Sequence, residues 1–137
     1  MARTPAKEDT QLVDAWRALL DSHARAHGAL EQALKEHDLG VSEFEVLERL
    51  AMSDADEQRR MQELAEATHL SQSALSRVVG RLENDGLAVR GMCAEDRRGI
   101  YVCITDEGRG RYEAARPAHR EALAETLGPG SAGPAQG

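Results

Sequence analysis

LAEATHLSQSALSRVVGRLENDGL, residues 64–87, reads as a short helix, a tight turn and a second helix. In the second helix Leu75, Val78, Val79 and Leu82 recur at steps of three and four, which places apolar side chains on one helical face. Ser71 just before it is a good N-cap, because its hydroxyl can accept a backbone N–H from the first turn. Gly86 suits the left-handed residue that stops a helix. Met61, Leu64, Ala65 and Ala67 mark the preceding short helix, with Thr68-His69-Leu70 as the turn. Downstream, Leu87-Ala88-Val89-Arg90 and Ile100-Tyr101-Val102-Cys103-Ile104 read as two short strands joined by a polar hairpin tip from Gly91 to Gly99.

Upstream, from about Thr10 to His37, Leu12, Trp16, Leu19, Leu20, Leu30 and Leu34 form the apolar stripe of a long helix, and His23 and His27 fill its gap. Asp38-Leu39-Gly40 ends that helix, with Gly40 expected in the left-handed conformation. Ser42 and Glu45 have capping-box spacing and predict a second helix that buries Phe44, Leu47, Leu50 and Ala51. Residues 53–60 have no apolar period and read as a polar connection. Thr105 is the N-cap of a last helix, with Asp106 and Glu107 in its first turn where the helix dipole favours acids. Tyr112, Ala115, His119, Leu123 and Leu127 share one side of it, and Pro117 is expected to kink it by removing a backbone donor. The polar residues 1–9 are expected to be a flexible N-terminus, and 128–137, rich in Gly and Pro, a disordered tail. The fold class is therefore mainly α with a small β-hairpin wing, a winged helix-turn-helix over 10–127.

A short helix that props a second one lets the second enter the DNA major groove, which admits one helix. The outward residues of its first turns are Gln72, Ser73, Ser76 and Arg77, with Arg81 a turn later. Gln can read adenine edges and Arg guanine edges, while Ser71, the serine hydroxyls and the helix N-terminus suit phosphate. The competing reading of this face is plain solvation. The hairpin tip adds Ala94-Glu95-Asp96-Arg97-Arg98-Gly99. Adjacent arginines at an exposed tip suit a minor groove, and Asp96 can hold the guanidinium of Arg98 while Arg97 meets phosphate. The competing reading there is a surface ion pair worth at most about 1 kcal/mol.

At these residues the chain resembles the MarR family of bacterial transcription regulators. Residues 96–105 fit the wing pattern of the family, D-x-R followed by (L/I)-T; 64–87 look like its helix-turn-helix, and Thr105-Asp106-Glu107-Gly108 like the start of its next helix. The resemblance implies a homodimer on a near-palindromic double-stranded operator. Helices at 10–37 and 106–127 would interlock, 42–105 would be the DNA-binding part, Arg98 the wing-tip arginine and Asp96 its partner. It also implies a repressor relieved by a small aromatic or anionic effector lodged between the dimer helices and the winged domain. Trp16, His23, His27, Phe44 and Tyr112 are the candidates to line such a site, against the alternative that they are core or dimer contacts. Members of the family usually add a further helix after the last one found here, and often place Thr or Ser where Arg60 stands. The branch that senses peroxide uses a cysteine in the first helix, where this chain has none.

Composition narrows the alternatives. Aromatics are 3% of the chain, so the core must be aliphatic. No apolar run approaches the roughly 20 residues of a membrane span, and no secretion signal follows Met1, so a cytoplasmic location is expected. Cys93 and Cys103 are too few for a disulfide framework, and no metal or other cofactor is expected. The favoured reading of Cys93, at the wing, is an inert thiol, with oxidation near the DNA surface as the alternative. Net charge is −7, but residues 1–56 hold twelve acidic against six basic groups, whereas residues 70–100 hold five basic against four acidic. The acid thus sits away from the proposed DNA face. The sequence lacks paired carboxylates in a glycine-bounded pocket, a phosphate-cradling loop and a nucleophile elbow, so an enzyme is not expected. The acidic balance favours one alternative, a winged-helix module that binds protein rather than an operator.

Overall fold

The computed structural model describes residues 5–53, 58–93 and 96–129, with side chains for all of these except 5, 6, 58, 92, 93 and 96–99. Its elements are α1 (Pro5–Lys35), α2 (Val41–Ala51), β1 (Gln58–Arg60), α3 (Met61–Thr68), α4 (Gln72–Asn84), β2 (Ala88–Cys93), β3 (Asp96–Ile104) and α5 (Asp106–Leu127). One aliphatic core joins them. Leu34, Phe44, Val46, Leu47, Leu50, Leu64, Leu75, Val79, Leu82, Leu87 and Val102 are fully buried.

The first helix begins at Pro5 rather than near Thr10, so residues 5–9 are helical and not a loose lead-in. Proline is well suited to a first helical position, where its missing N–H would have had no helical partner. At the other end the left-handed residue is Asp38, with φ 56°, not Gly40. Gly40 is instead the extended N-cap of α2, and its N–H donates to Glu43 Oε1 at 2.8 Å. The cap thus lies two residues upstream of the expected Ser42.

Residues 58–60 are not part of a structureless connection. They pair with β3 as Gln58↔Cys103, Arg59↔Val102 and Arg60↔Tyr101, giving an antiparallel sheet of order β1-β3-β2. The wing strands are also longer than the sequence suggested. They pair from Ala88↔Ile104 to Cys93↔Asp96, with an irregularity between Met92 and Cys93. Residues 91–93 and 96–99 of the expected hairpin tip are therefore strand, while 94–95 lie outside the described residues.

Helix α4 ends as expected. Gly86 has φ +76°, its N–H donates to Glu83 O at 3.0 Å, and the Leu87 N–H donates to Leu82 O at 2.8 Å. This pair of bonds is the Schellman closure. Thr105 then caps α5, accepting the Gly108 N–H at 2.9 Å and donating its hydroxyl to Gly86 O at 2.7 Å. Helix α5 continues through Pro117 to Leu127.

A polar cluster joins α2 to α5. Tyr112 donates to Glu48 Oε2 at 2.8 Å, and Arg120 binds the same carboxylate. Arg120 also donates to His119 Nδ1 at 2.7 Å, and the His119 ring stacks on Phe44 at 4.2 Å. By contrast, the N-terminal half of α1 leaves Leu12, Val13, Trp16, Leu19 and Leu20 exposed. Among the described residues no helix is long and apolar enough to cross a membrane.

Candidate nucleic-acid interface

Helix α4 is amphipathic in the way an inserted helix requires. Leu75, Val78, Val79 and Leu82 are buried against the core, while Ser71, Gln72, Ser73 and Arg77 are exposed. Ser71 Oγ accepts the Ala74 N–H at 3.1 Å and so caps the positive end of the helix dipole. Its Oγ also lies 3.4 Å from Ser73 Oγ. The prop is α3, which buries Leu64 and Ala65 and closes with His69 in the left-handed conformation. Its start is held by Glu63, whose Oε1 accepts the Arg60 N–H at 3.3 Å; this is the glutamate half of a capping box, and no side-chain hydroxyl at Arg60 completes the other half.

Two of the singled-out α4 residues have partners inside the protein. Arg81 Nε donates to Glu43 Oε2 at 2.8 Å, and Glu43 also caps α2, so Arg81 ties α4 to the α1–α2 corner. Ser76 is half-buried and accepts from Arg90 of β2. Gln72, Ser73 and Arg77 therefore form the open part of the face, and Arg77 is its exposed cation. Neither Glu43, Glu83 nor Arg90 was picked out from the sequence. Nothing in local spacing links Arg81 to Glu43 across 38 positions, although Glu83 and Arg90 stand close enough in the chain to have been paired.

The wing residues Asp96, Arg97 and Arg98 lie on β3, but their side chains, like that of Cys93, fall outside the described residues. Cys103 is half-buried between the buried Val102 and Ile104, on the opposite side of the strand from them.

The five candidate effector residues do not meet in one space. Phe44 and Tyr112 are buried together, rings 5.3 Å apart, in the closed core. His23 and His27 stack at 5.7 Å on α1, and Trp16 is exposed further up that helix. An open groove of about 370 Å³ does border His27, between Glu31 and Lys35 of α1, the α2 N-terminus and Arg81.

The α2–α5 cluster perturbs the ionisation of its members. Burial would raise the Glu48 carboxyl, but hydrogen bonds from Arg120 and Tyr112 outweigh it and hold the group below its ordinary value. Burial pushes His119 down, and the Arg120 charge reinforces this against the opposing pull of Glu48. Burial, then the bond to Glu48, raises the Tyr112 hydroxyl. Among the described residues no group of three or more His, Cys, Asp or Glu is placed to hold a metal ion.

A family model described as MarR family matches residues 37–99. The homoprotocatechuate degradative operon repressor of Escherichia coli is 28% identical over 105 residues, covering 77% of this chain and 69% of its own length. AbsC, a MarR family transcriptional regulator from Streptomyces coelicolor, superposes with a TM-score of 0.82 at 28% identity, covering 98% of this chain and 88% of AbsC. A second Streptomyces coelicolor regulator of that family, solved in complex with DNA, gives a TM-score of 0.81 at 28% identity, covering 98% and 84% of the two chains.

Proposed function

We propose, on the premise that residues 37–99 make this chain a member of the MarR family, that it is a transcription regulator that binds double-stranded DNA. The observation that carries this reading is the face of α4. Gln72, Ser73 and Arg77 stand exposed at the helix end where backbone N–H groups favour anions, while the opposite face is locked into the core. The fold shared with a regulator solved on DNA supports the same docking. Base edges would be met by Gln72 and Arg77, phosphates by Ser71 and Ser73, and the minor groove by Arg98 with Asp96 and Arg97.

Two copies act together in this reading. The apolar stripe Leu12, Val13, Trp16, Leu19 and Leu20 has no cover among the described residues, and a second copy of α1 is the occupant that the family supplies. A two-fold dimer places two α4 helices on a near-palindromic site. Repression, a cytoplasmic location and a non-enzymatic role belong to the same reading, and it is supported by a relative, the Escherichia coli protein, that is named a repressor. A small aromatic or anionic effector would find the groove beside His27, Lys35 and Arg81 better shaped for it than the closed pair Phe44–Tyr112.

The experiment is a gel-shift titration on random duplex at rising salt. Binding that is measurable at 50 mM and falls by about a hundredfold or more by 200 mM fits the proposal. No binding at low salt favours the alternative of a protein-binding module.

A further inference from the structure

We infer that Arg90, a residue of β2 and not of the reading helix, helps set base preference by positioning Ser76; this rests on the reading that α4 enters the major groove. Arg90 stands opposite Val102 in the sheet. Its backbone N–H and its Nε both donate to Glu83, at 3.0 and 3.1 Å. Anchored there at the C-terminal end of α4, the guanidinium extends back along the helix. Its two terminal nitrogens reach Ser76 Oγ and Ser76 O, each at 3.4 Å. Gly80 lies on the same face between Ser76 and Glu83. The point where its Cβ would sit is 3.8 Å from one of those nitrogens, so no side chain separates guanidinium from helix.

Two consequences follow. Glu83 offsets the charge of Arg90, so Arg90 is not a free cation for phosphate. Ser76 Oγ also receives a hydrogen bond from a cationic donor. A serine hydroxyl is ordinarily both donor and acceptor and pairs with any base edge. Arg90 occupies one of the two lone pairs of the Ser76 hydroxyl and repels a second donor there, which shifts the balance of the group from acceptor toward donor. It then favours acceptors in the major groove, N7 and O6 of guanine, N7 of adenine or O4 of thymine, over the amino group of cytosine. Because Arg90 is carried by the wing strand, the same contact sets the angle between α4 and the wing.

The test begins by selecting bound duplexes from a random library with the wild-type protein. The affinity for every single-base variant of the selected site, and for random duplex, is then measured for wild type, Arg90→Lys, Ser76→Ala and the double variant. Lysine keeps the charge and the backbone bond to Glu83 but lacks the fork that reaches two atoms of Ser76. The expected result is a loss of roughly tenfold discrimination at one position per half-site in Arg90→Lys. Ser76→Ala should lose it at that same position, and the double variant should lose no more. Random-duplex affinity should stay within about twofold, a readout that a merely structural role would not preserve. Unchanged preference in either single variant, or losses at different positions that add, overturns the inference. If Arg90→Lys melts early, Glu83→Gln takes its place in the cycle: it keeps Arg90 but weakens the anchor of the guanidinium, and it should lose discrimination at the Ser76 position, while unchanged preference there overturns the inference. If the wild type selects no sequence, the reading of α4 fails and this inference falls with it.

Discussion

Gly108, in the first turn of α5, lies so close to Leu87 that a Cβ on it would overlap the Leu87 carbonyl oxygen. The same oxygen accepts the Thr105 N–H at 3.1 Å. The start of α5 is thereby fixed on the segment that links α4 to the wing. Gly108→Ala cannot be absorbed by a side-chain shift, because the obstacle is backbone. It should cost about 3 kcal/mol and lower the melting temperature by roughly 10 °C. Gly28→Ala is the control. Nothing lies within 4 Å of its Cβ position, so it should stabilise by up to about 1 kcal/mol through helix propensity. Thermal melts followed by circular dichroism check both.

The α2–α5 cluster predicts how stability responds to acid. His119 has a depressed pKa in the folded state, so its neutral form is favoured there. The stability this contributes is complete above the ordinary histidine value of 6.5 and is lost as pH falls below it. Glu48 is also depressed, so its contribution holds above the ordinary carboxyl value of 4.5 and is lost on further acidification. Denaturant titrations should show stability falling in two stages. His119→Gln should remove the stage that begins near 6.5. Glu48→Leu should remove the later one and cost about 2 kcal/mol at neutral pH. That figure lies below the usual cost of a broken buried pair, because the Arg120 side chain is 39% exposed.

The exposed α1 stripe predicts assembly. Leu19→Glu places a charge among Leu12, Trp16 and Leu20 without touching the buried core. Sedimentation velocity should show a dimer for the wild type and a monomer, or a dimer weakened by at least about tenfold, for the variant. An equally tight dimer would move the interface elsewhere.

Arg98→Ala should weaken binding to every duplex by roughly 1–3 kcal/mol, since an arginine in the minor groove senses its shape and charge rather than base edges. Fluorescence anisotropy on operator and random duplex measures it. Wild-type affinity in this variant would contradict the wing assignment.

Where the chain alone carried the signal, the physics was local. The stripe Leu75–Val78–Val79–Leu82, the Ser71 cap and the Gly86 stop are each decided within one or two helical turns, and all three stand in the fold. What was not legible depends on distant partners. Gln58–Arg60 has no strand pattern and becomes a strand because β3 offers it an edge. Gly40 displaced Ser42 as cap because Glu43 reaches back to it. Phe44 and Tyr112 looked like pocket walls by residue type, but in the fold Phe44 packs tilted against Tyr112 and stacks on His119. Arg81 and Ser76 looked free on a helical wheel, and only the tertiary fold brings Glu43 and Arg90 to them.

The central claim is that the exposed start of α4 reads base sequence. Its most direct measurement is the ratio of affinities for selected operator and random duplex, at one fixed salt, in wild type, Gln72→Ala and Arg77→Ala. The account predicts that each substitution lowers this ratio by about tenfold or more while random-duplex affinity falls much less. Ratios equal to the wild type in both variants would contradict it.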